Sequence, residues 1–445
     1  MIKTKIRATT LVVVMGVFSA ISAQNSAFSK VGDIVNPSRV EVVTPIHKPE
    51  FRNADCPQRV QGGGAKMLNG YMQFNGSMDG NRQVDPQIAV GGGYVLHGTN
   101  SGLVIYDKEG NYIDGASQNC FNKGIDPKMF YDPNNKVFGF DLWNPWDAEK
   151  KKPVNISISE TNDPRKAWNI YPVSAPNGVD GGGIGFSKKW IGYSFPGGEE
   201  KSFVLKMSEA KTGKPATVYH FKGSLGHPIF TQDDTEDLYF FEIKKGRFIV
   251  RKVTEDADGN PICEVVGNTE HHLKHMQYPP KSPQKGTDQV TSSGDRNPKN
   301  LVMQSGFIWF SHAVNVEGNS AVQWHQVKTD GSIVQTGLIY DKNTNYIQTT
   351  IAVNSKNDVL VGFQETNSEM FISPRFAFRY AKDKKGKLRK IVSLGEGEGA
   401  TDGVSWGDYS GSVIDGDNLK DLWTIQSITN KAGKGGTVIV KVPFK

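Results

Sequence analysis

Seven repeats of short apolar or aromatic runs, four in each of the first six and three in the last, always in the same order and separated by turns rich in Gly, Asn and Asp, predict an all-β chain folded as a seven-bladed β-propeller. Composition agrees, since 49 of the 445 residues are glycine and helical periodicity is nearly absent. Three cysteines are too few for a disulfide-built scaffold, so an apolar core has to hold the chain together.

The chain opens with a segment read as targeting rather than fold. Lys3, Lys5 and Arg7 precede the apolar run LVVVMGVFSAI, and the small residues Ser22 and Ala23 close it. Basic start, short apolar stretch and small-residue end form the secretory pattern, which places a signal peptide at residues 1–23. The run is shorter than the roughly 20 apolar residues a bilayer span needs. We therefore expect a secreted or periplasmic protein with no membrane span after signal removal. The whole chain carries 52 basic and 46 acidic residues, and losing three basic ones leaves 49 − 46 = +3. Basic runs such as KDKKGKLRK at 382 read as solvated turns, and no basic face with interleaved aromatics suggests nucleic acid. Cys56 and Cys120 are candidates for a bridge that leaves Cys263 free; three unpaired thiols are the alternative.

The propeller itself is assigned to residues 85–445. First strands are PQIAV (86), PKMFY (127), GGIGF (182), HPIFT (227), KNLVM (299), TTIAV (349) and SGSVI (410). Second strands are YVLHGTN (94), VFGFDLW (137), WIGYSFP (190), LYFFEIK (238), IWFSHAV (308), VLVGFQE (359) and LWTIQSI (422). Hairpin chemistry joins the two sets: GGG, DPNN, SKK, QDDTED, QSG, NSKND and DGDNLKD. Third strands follow at 103, 154, 203, 248, 321, 376 and 437, and fourth strands at 112, 168, 216, 261, 332 and 387. The seventh unit ends with the chain and lacks a fourth strand. Within the N-terminal segment 24–84, RVEVVTP at 39–45 has strand character and no partner. A terminal strand removes an open edge, so residues 39–45 are predicted to close the last blade against residues 437–442. One long insertion, 267–294, interrupts the spacing.

Three phrases carry a resemblance: WGDYSG at 406, SETNDPRKAWNIY at 159, and the opening DPQIAVGGGYVLHGTNSGLVIYD at 85. They resemble a widespread, largely uncharacterised family of secreted bacterial β-propellers, distantly related to sialidase-like, BNR-type repeats. The resemblance covers most of residues 85–445 and implies the propeller fold, but not a chemistry. It also implies that residues 159–168 form a structural Asp-box-like turn. The arginine triad and Arg-Ile-Pro signature of true sialidases have no match, although Arg296, Arg375 and Arg379 are candidates for a cluster.

In a propeller the loops that enter the innermost strands surround one channel mouth, where polar groups converge. Those loops supply Asp85, Asp126, Asp180, His227, Asp295, Arg296, Tyr346, Trp406, Asp408 and Tyr409, and second-strand ends add His97, Asp141, Glu242 and His312. The aspartates serve either as turn caps or as a carboxylate ring for a cation or sugar hydroxyls. Trp406 and Tyr409 either pack a blade or stack on a sugar. Arg296 offers a fork for an acidic glycan, and with Asp295 and His312 it forms the one acid/base and anchor constellation worth testing. His271, His272 and His275 have chelating spacing without an accompanying carboxylate pattern, so no metal is assigned. No cofactor is implied.

The leading expectation is an exported, monomeric binding or interaction module for a glycan or surface polymer. The alternative is a glycan-active hydrolase or lyase on the same face. Two close, perturbed carboxylates would favour the hydrolase, and His312 or a tyrosine beside Arg296 the lyase. A protein–protein scaffold, with its mouth plugged by the 267–294 insertion, is the third reading.

Overall fold

The computed structural model describes residues 29–51, 64–76, 84–196, 200–402 and 406–445. The expected signal peptide and Cys56 lie outside the described residues. Cys120 is disulfide-bonded, and Cys263 is a buried free thiol whose pKa burial pushes up to about 12.

Among the described residues, helix is confined to single turns at Gln118–Phe121 and Met207–Ala210. The strands form antiparallel units in chain order, and parallel pairing of Phe230–Thr231 with Gly183–Phe186 and Leu301–Gln304 joins two of them into one ten-stranded sheet. The first comprises Gln87–Gly91, Tyr94–Thr99, Gly102–Asp107 and Tyr112–Ala116, and the second Ile125–Asp132, Val137–Trp143, Val154–Ser159 and Trp168–Val173. The third runs from Gly183–Phe186 through Trp190–Ser194 and Glu200–Lys206 to Ala216–Lys222. The fourth begins with a split strand, His227–Pro228 and Phe230–Thr231, and continues with Leu238–Lys244, Arg247–Glu255 and Pro261–Glu270. Units five and six start at Leu301–Gln304 and Asn345–Val353, and the seventh is built on Gly411–Ile414, Leu422–Thr429 and Gly435–Val442. The fourth run read at 387 is a strand only at Val392–Ser393. Its charged remainder forms a turn in which Arg389 pairs with Asp383 at 2.8 Å.

The core lies between the units, which makes the arrangement propeller-like. Phe130 of the second unit stacks on Phe186 of the third at 4.3 Å, and Phe241 of the fourth meets Phe310 of the fifth at 4.8 Å. One apolar cluster joins the seventh unit to the first, with Trp423, Ile425 and Ile439 against Ile88, Val90 and Tyr106. A polar clasp lies beside it. Lys108 reaches Asp415 and Asp417 at 2.6 Å each, and Asp417 also accepts the amides of Gly92 and Gly93 at 2.7 and 2.8 Å. Only glycine fits at position 92, where φ is +57° and a Cβ would stand 2.1 Å from the Asn162 carbonyl oxygen.

The N-terminal segment corrects the pairing expected for residues 39–45. Arg39–Val43 lies on the outer strand of the third unit, with Arg39 opposite His220 and Val43 opposite Ala216. Charge selects this edge. Arg39 bonds Glu200 at 3.0 Å, and Glu41 meets His220 at 3.1 Å. Ile34–Val35 and Ile46–Lys48 likewise line the outer strands of the fourth and second units. The strand that pairs with Gly435–Val442 is Tyr71–Asn75, which places Phe74 opposite Ile439. Phe74 is buried against Tyr106 at 5.2 Å, in the interface between the seventh and first units. Residues 39–43 offer no aromatic ring for that gap.

The 159–168 turn is structural, as the resemblance implied. Ser159 accepts the Phe138 amide at 2.8 Å, Asp163 accepts the Arg165 amide at 3.0 Å, and the buried Trp168 indole donates to the Pro164 carbonyl at 2.8 Å.

The Asp417 carboxylate ties the last unit to the first through three donated or charged contacts while remaining partly exposed. Asp417→Ala is expected to lower unfolding free energy by about 1–2 kcal/mol. Urea denaturation of the two proteins measures this, and an unchanged midpoint would remove the clasp from the stability argument.

Candidate functional site

The loops entering units one, two, three and seven meet over a buried polar cluster. Asp85 and Asp126, each before a proline, have φ of +40° and +57°. Non-glycine residues avoid this region, and such strain persists where the surroundings over-determine it. Here hydrogen bonds do so. Asp85 accepts the Asp408 amide at 2.6 Å and the Asn100 side-chain amide at 2.7 Å, while the Asn100 oxygen accepts the Asp126 amide at 2.7 Å. A register shift between Ile125 and Lys128 re-aims the start of the second unit. Lys128 then stands opposite Asp141, which accepts its amide at 3.0 Å.

Burial dominates the electrostatics. It pushes Asp85 up to about 6, helped by the Asp408 charge and opposed by the Asp408 amide and Lys128. Burial and the neighbouring Asp85 and Asp180 push Asp126 up to about 7, and Asp126 and Asp180 share a side-chain hydrogen bond. Burial takes Asp141 up to about 8 despite Lys128. The same desolvation, with Lys299, brings Lys128 down to about 7. The Lys128 ammonium lies over the Tyr409 ring and finds no hydrogen-bond partner among the described residues. Tyr193 faces Asp141, and Gly182 lies against its hydroxyl, where a Cβ would come within 2.4 Å.

Above this layer the site opens. A cavity of about 350 Å³ is lined by Asp180, Gly181, Tyr278, Gly294, Asp295, Lys299 and Asp408. Asp180 and Asp408 are exposed, and Lys299 stands 4.0 Å from Asp295. The hairpin of the long insertion rests on the sixth unit, where Lys285 donates to the Met370 carbonyl at 3.1 Å and Thr366 to that of Pro283 at 3.0 Å. Tyr278, earlier in the insertion, walls the cavity. His227 opens instead on a second cavity, and burial beside Lys299 and Lys128 brings it down to about 3, so its imidazole is neutral.

The structure thus brings Asp85, Asp126, Asp180, Asp295, Asp408, Tyr409 and Asp141 to one mouth. Other candidates are spent elsewhere. Trp406 is buried against Ile347 and Ile372, its indole donating to Gln364 at 2.9 Å, so it packs a blade. Tyr409 likewise packs, under Lys128, its hydroxyl on the Pro127 carbonyl at 3.3 Å. His97 and Tyr346 are core residues, and Glu242 pairs with Arg251 at 3.1 Å. The Asp295–Arg296–His312 constellation does not form. Arg296 stacks on Tyr278 at 4.1 Å and bonds the Met276 carbonyl at 3.4 Å. His312 is buried between the Arg296 carbonyl at 2.6 Å and His325 at 3.2 Å, with a lowered pKa caused by burial. Arg375 is held by Glu365 and Glu396 at 2.6 and 2.8 Å, and Arg379 by the Ala381 and Asp383 carbonyls, so no arginine cluster meets Arg296. His271 bonds the Gly331 carbonyl at 2.8 Å. Among the described residues no group of three or more His, Cys, Asp or Glu is placed to hold a metal.

Lys128, Lys299, Asn100, Tyr193 and Tyr278 escaped the sequence reading. Lys128 and Lys299 left a signal there, each the lone charge in its innermost run, PKMFY and KNLVM.

No family model matches the chain, and no curated protein matches it. Among solved structures it is similar to a quinonprotein alcohol dehydrogenase-like protein from Bacteroides thetaiotaomicron, with 13% identity, 75% of this chain and 76% of that one covered, and a TM-score of 0.40. It is similar to an α-L-arabinofuranosidase from Clostridium thermocellum at 13% identity, covering 70% and 94%, with a TM-score of 0.34. A neuraminidase-like protein of the A/little yellow-shouldered bat/Guatemala strain gives 10% identity, 66% and 94% coverage and a TM-score of 0.36. Scores this low carry no assignment.

Asp141 sets a pH dependence. Its folded pKa of about 8 lies above the ordinary 3.8, so between these values the native chain holds a proton that the unfolded chain releases. Its contribution to stability therefore falls as pH rises from about 4 to about 8. Asp141→Asn keeps an acceptor for the Lys128 amide and removes the titration. Urea denaturation at several pH values is expected to show a flatter stability curve for the variant than for the parent. Parallel curves would assign the pH dependence to other groups.

Proposed function

We propose that the chain is an exported seven-bladed β-propeller, its ring closed by Tyr71–Asn75, that binds a glycan or surface polymer at the channel mouth. The observation that carries this reading is the cavity of about 350 Å³ between the loops entering the third, fifth and seventh units. Asp180, Asp295 and Asp408 offer acceptors for hydroxyl groups, Lys299 a donor, and Tyr278 an aromatic face. A concave wall with a few convergent polar groups is the usual form of a small-ligand site. The pattern of residues 1–23 supports export to where such polymers lie.

A second reading, a hydrolase on the same face, is favoured by Asp126, whose carboxyl is raised to about 7 in the manner of a general acid. Against it, Asp126 and Asp180 hydrogen-bond to each other, whereas glycosidase carboxylates stand about 5–9.5 Å apart. For a lyase, His312 is turned into its own unit, whereas Tyr278, beside Arg296 at 4.1 Å, is a tyrosine of the kind that reading needs.

A glycan-array screen of the exported chain, with a reducing-end assay on every hit, tests the reading. Binding without cleavage, weakened at least tenfold by Asp180→Asn or Asp408→Asn, is the expected result. Cleavage abolished by Asp126→Asn would establish the hydrolase instead. Absence of binding to any glycan would overturn both readings.

A further inference from the structure

Residues 294–299, which enter the fifth unit, form a wall shared by three depressions. On one side lies the cavity of about 350 Å³ already described, lined by Asp180, Tyr278, Asp295, Lys299 and Asp408. On the other lies a cavity of about 160 Å³, whose lining includes Ser194, Ser224, His227, Glu242 and Asn297. A depression of about 10 Å³, otherwise lined by Ser311, His312, Ala313, Gln348 and Thr349, shares Asn297 with the smaller cavity and Asp295, Lys299 and Asp408 with the larger. The two larger cavities adjoin across the loop of residues 294–299.

Size and charge restrict what such a pair of cavities accepts. Small-ligand sites occupy roughly 300–1,000 Å³, so the larger cavity is near the lower limit and the smaller one falls below it. Adjoining across one loop, they suit a chain of linked units rather than a single compact molecule. Each has a planar side chain in its wall, Tyr278 in one cavity and His227 in the other. Among the described lining residues, Asp180, Asp295 and Asp408 face Lys299 as the one cation, since Glu242 is paired with Arg251 and Arg296 is stacked on Tyr278. That field repels an acidic polymer and tolerates a neutral or amine-bearing one.

We propose that the mouth holds a linear, non-acidic glycan chain in at least two consecutive subsites, one beside Tyr278 and Asp180 and the next beside His227 and Asn297. The proposal rests on the glycan-binding reading and specifies its ligand class.

Calorimetric titration of the whole protein with β-1,4-linked N-acetylglucosamine, glucosamine, glucose and uronic acid series, each from one to six units, tests it. In at least one non-acidic series, affinity is expected to rise at least tenfold between one unit and three and then level off. His227→Ala, and independently the loop variant Asn297→Ala, are expected to remove that gain while leaving binding of the single unit unchanged. Equal affinity for one and three units, an undiminished gain in both variants, or tighter binding of the uronic acid series would overturn the proposal and leave glycan binding standing. Failure of every series to bind would overturn it together with the reading beneath it.

Discussion

Each four-stranded sheet of this protein has two apolar faces, and it can bury them only against the sheets on either side. Everything else follows from that requirement. Phe130 on Phe186 and Phe241 on Phe310 seal successive units, and the Trp423–Ile88 cluster seals the last against the first. A seventh unit of three strands would leave an unpaired edge and a gap beside Tyr106, and Tyr71–Asn75 supplies both the hydrogen-bonding partner and the Phe74 ring. Lys66–Leu68 extends that same sheet, and three other N-terminal strands lie on the outer edges of units two to four, where they blunt three more edges.

The same packing determines the character of the mouth. First strands crowded together at the centre exclude water from Asp85, Lys128 and Asp141, each buried. Desolvation opposes charge on all of them, raising the acids and lowering the lysine. Perturbed groups of this kind gather at functional sites, although structural networks perturb them too. The geometry separates the two roles here. Asp85, Asn100 and Asp141 hold backbone amides and set the loops, whereas Asp180, Asp295 and Asp408 line the open cavity.

The strands and turns of the units were legible in the sequence because alternation and turn chemistry are local. QIAVGGGYVLHGT reads as two strands and a glycine turn without knowledge of any neighbour, and so does its counterpart in each unit. The Asp-Pro starts of the first two units were legible for the same reason, and they did reach the mouth. Residues 39–45 misled because strand character says that a segment will pair, not with which edge. That choice was made by Glu200 and His220, about 160 and 180 residues away in sequence.

What the sequence determined by itself was the all-β class, the order of strands within each unit and the loops that compose the mouth. These are short-range properties, set by side-chain period and backbone preference within a few residues. Only the tertiary structure decided which terminal strand completes the seventh unit, that His312 and Trp406 turn inward, and that Lys128 is buried among aspartates. Those outcomes depend on desolvation and on pairing between distant segments, and neither exists until the units are packed.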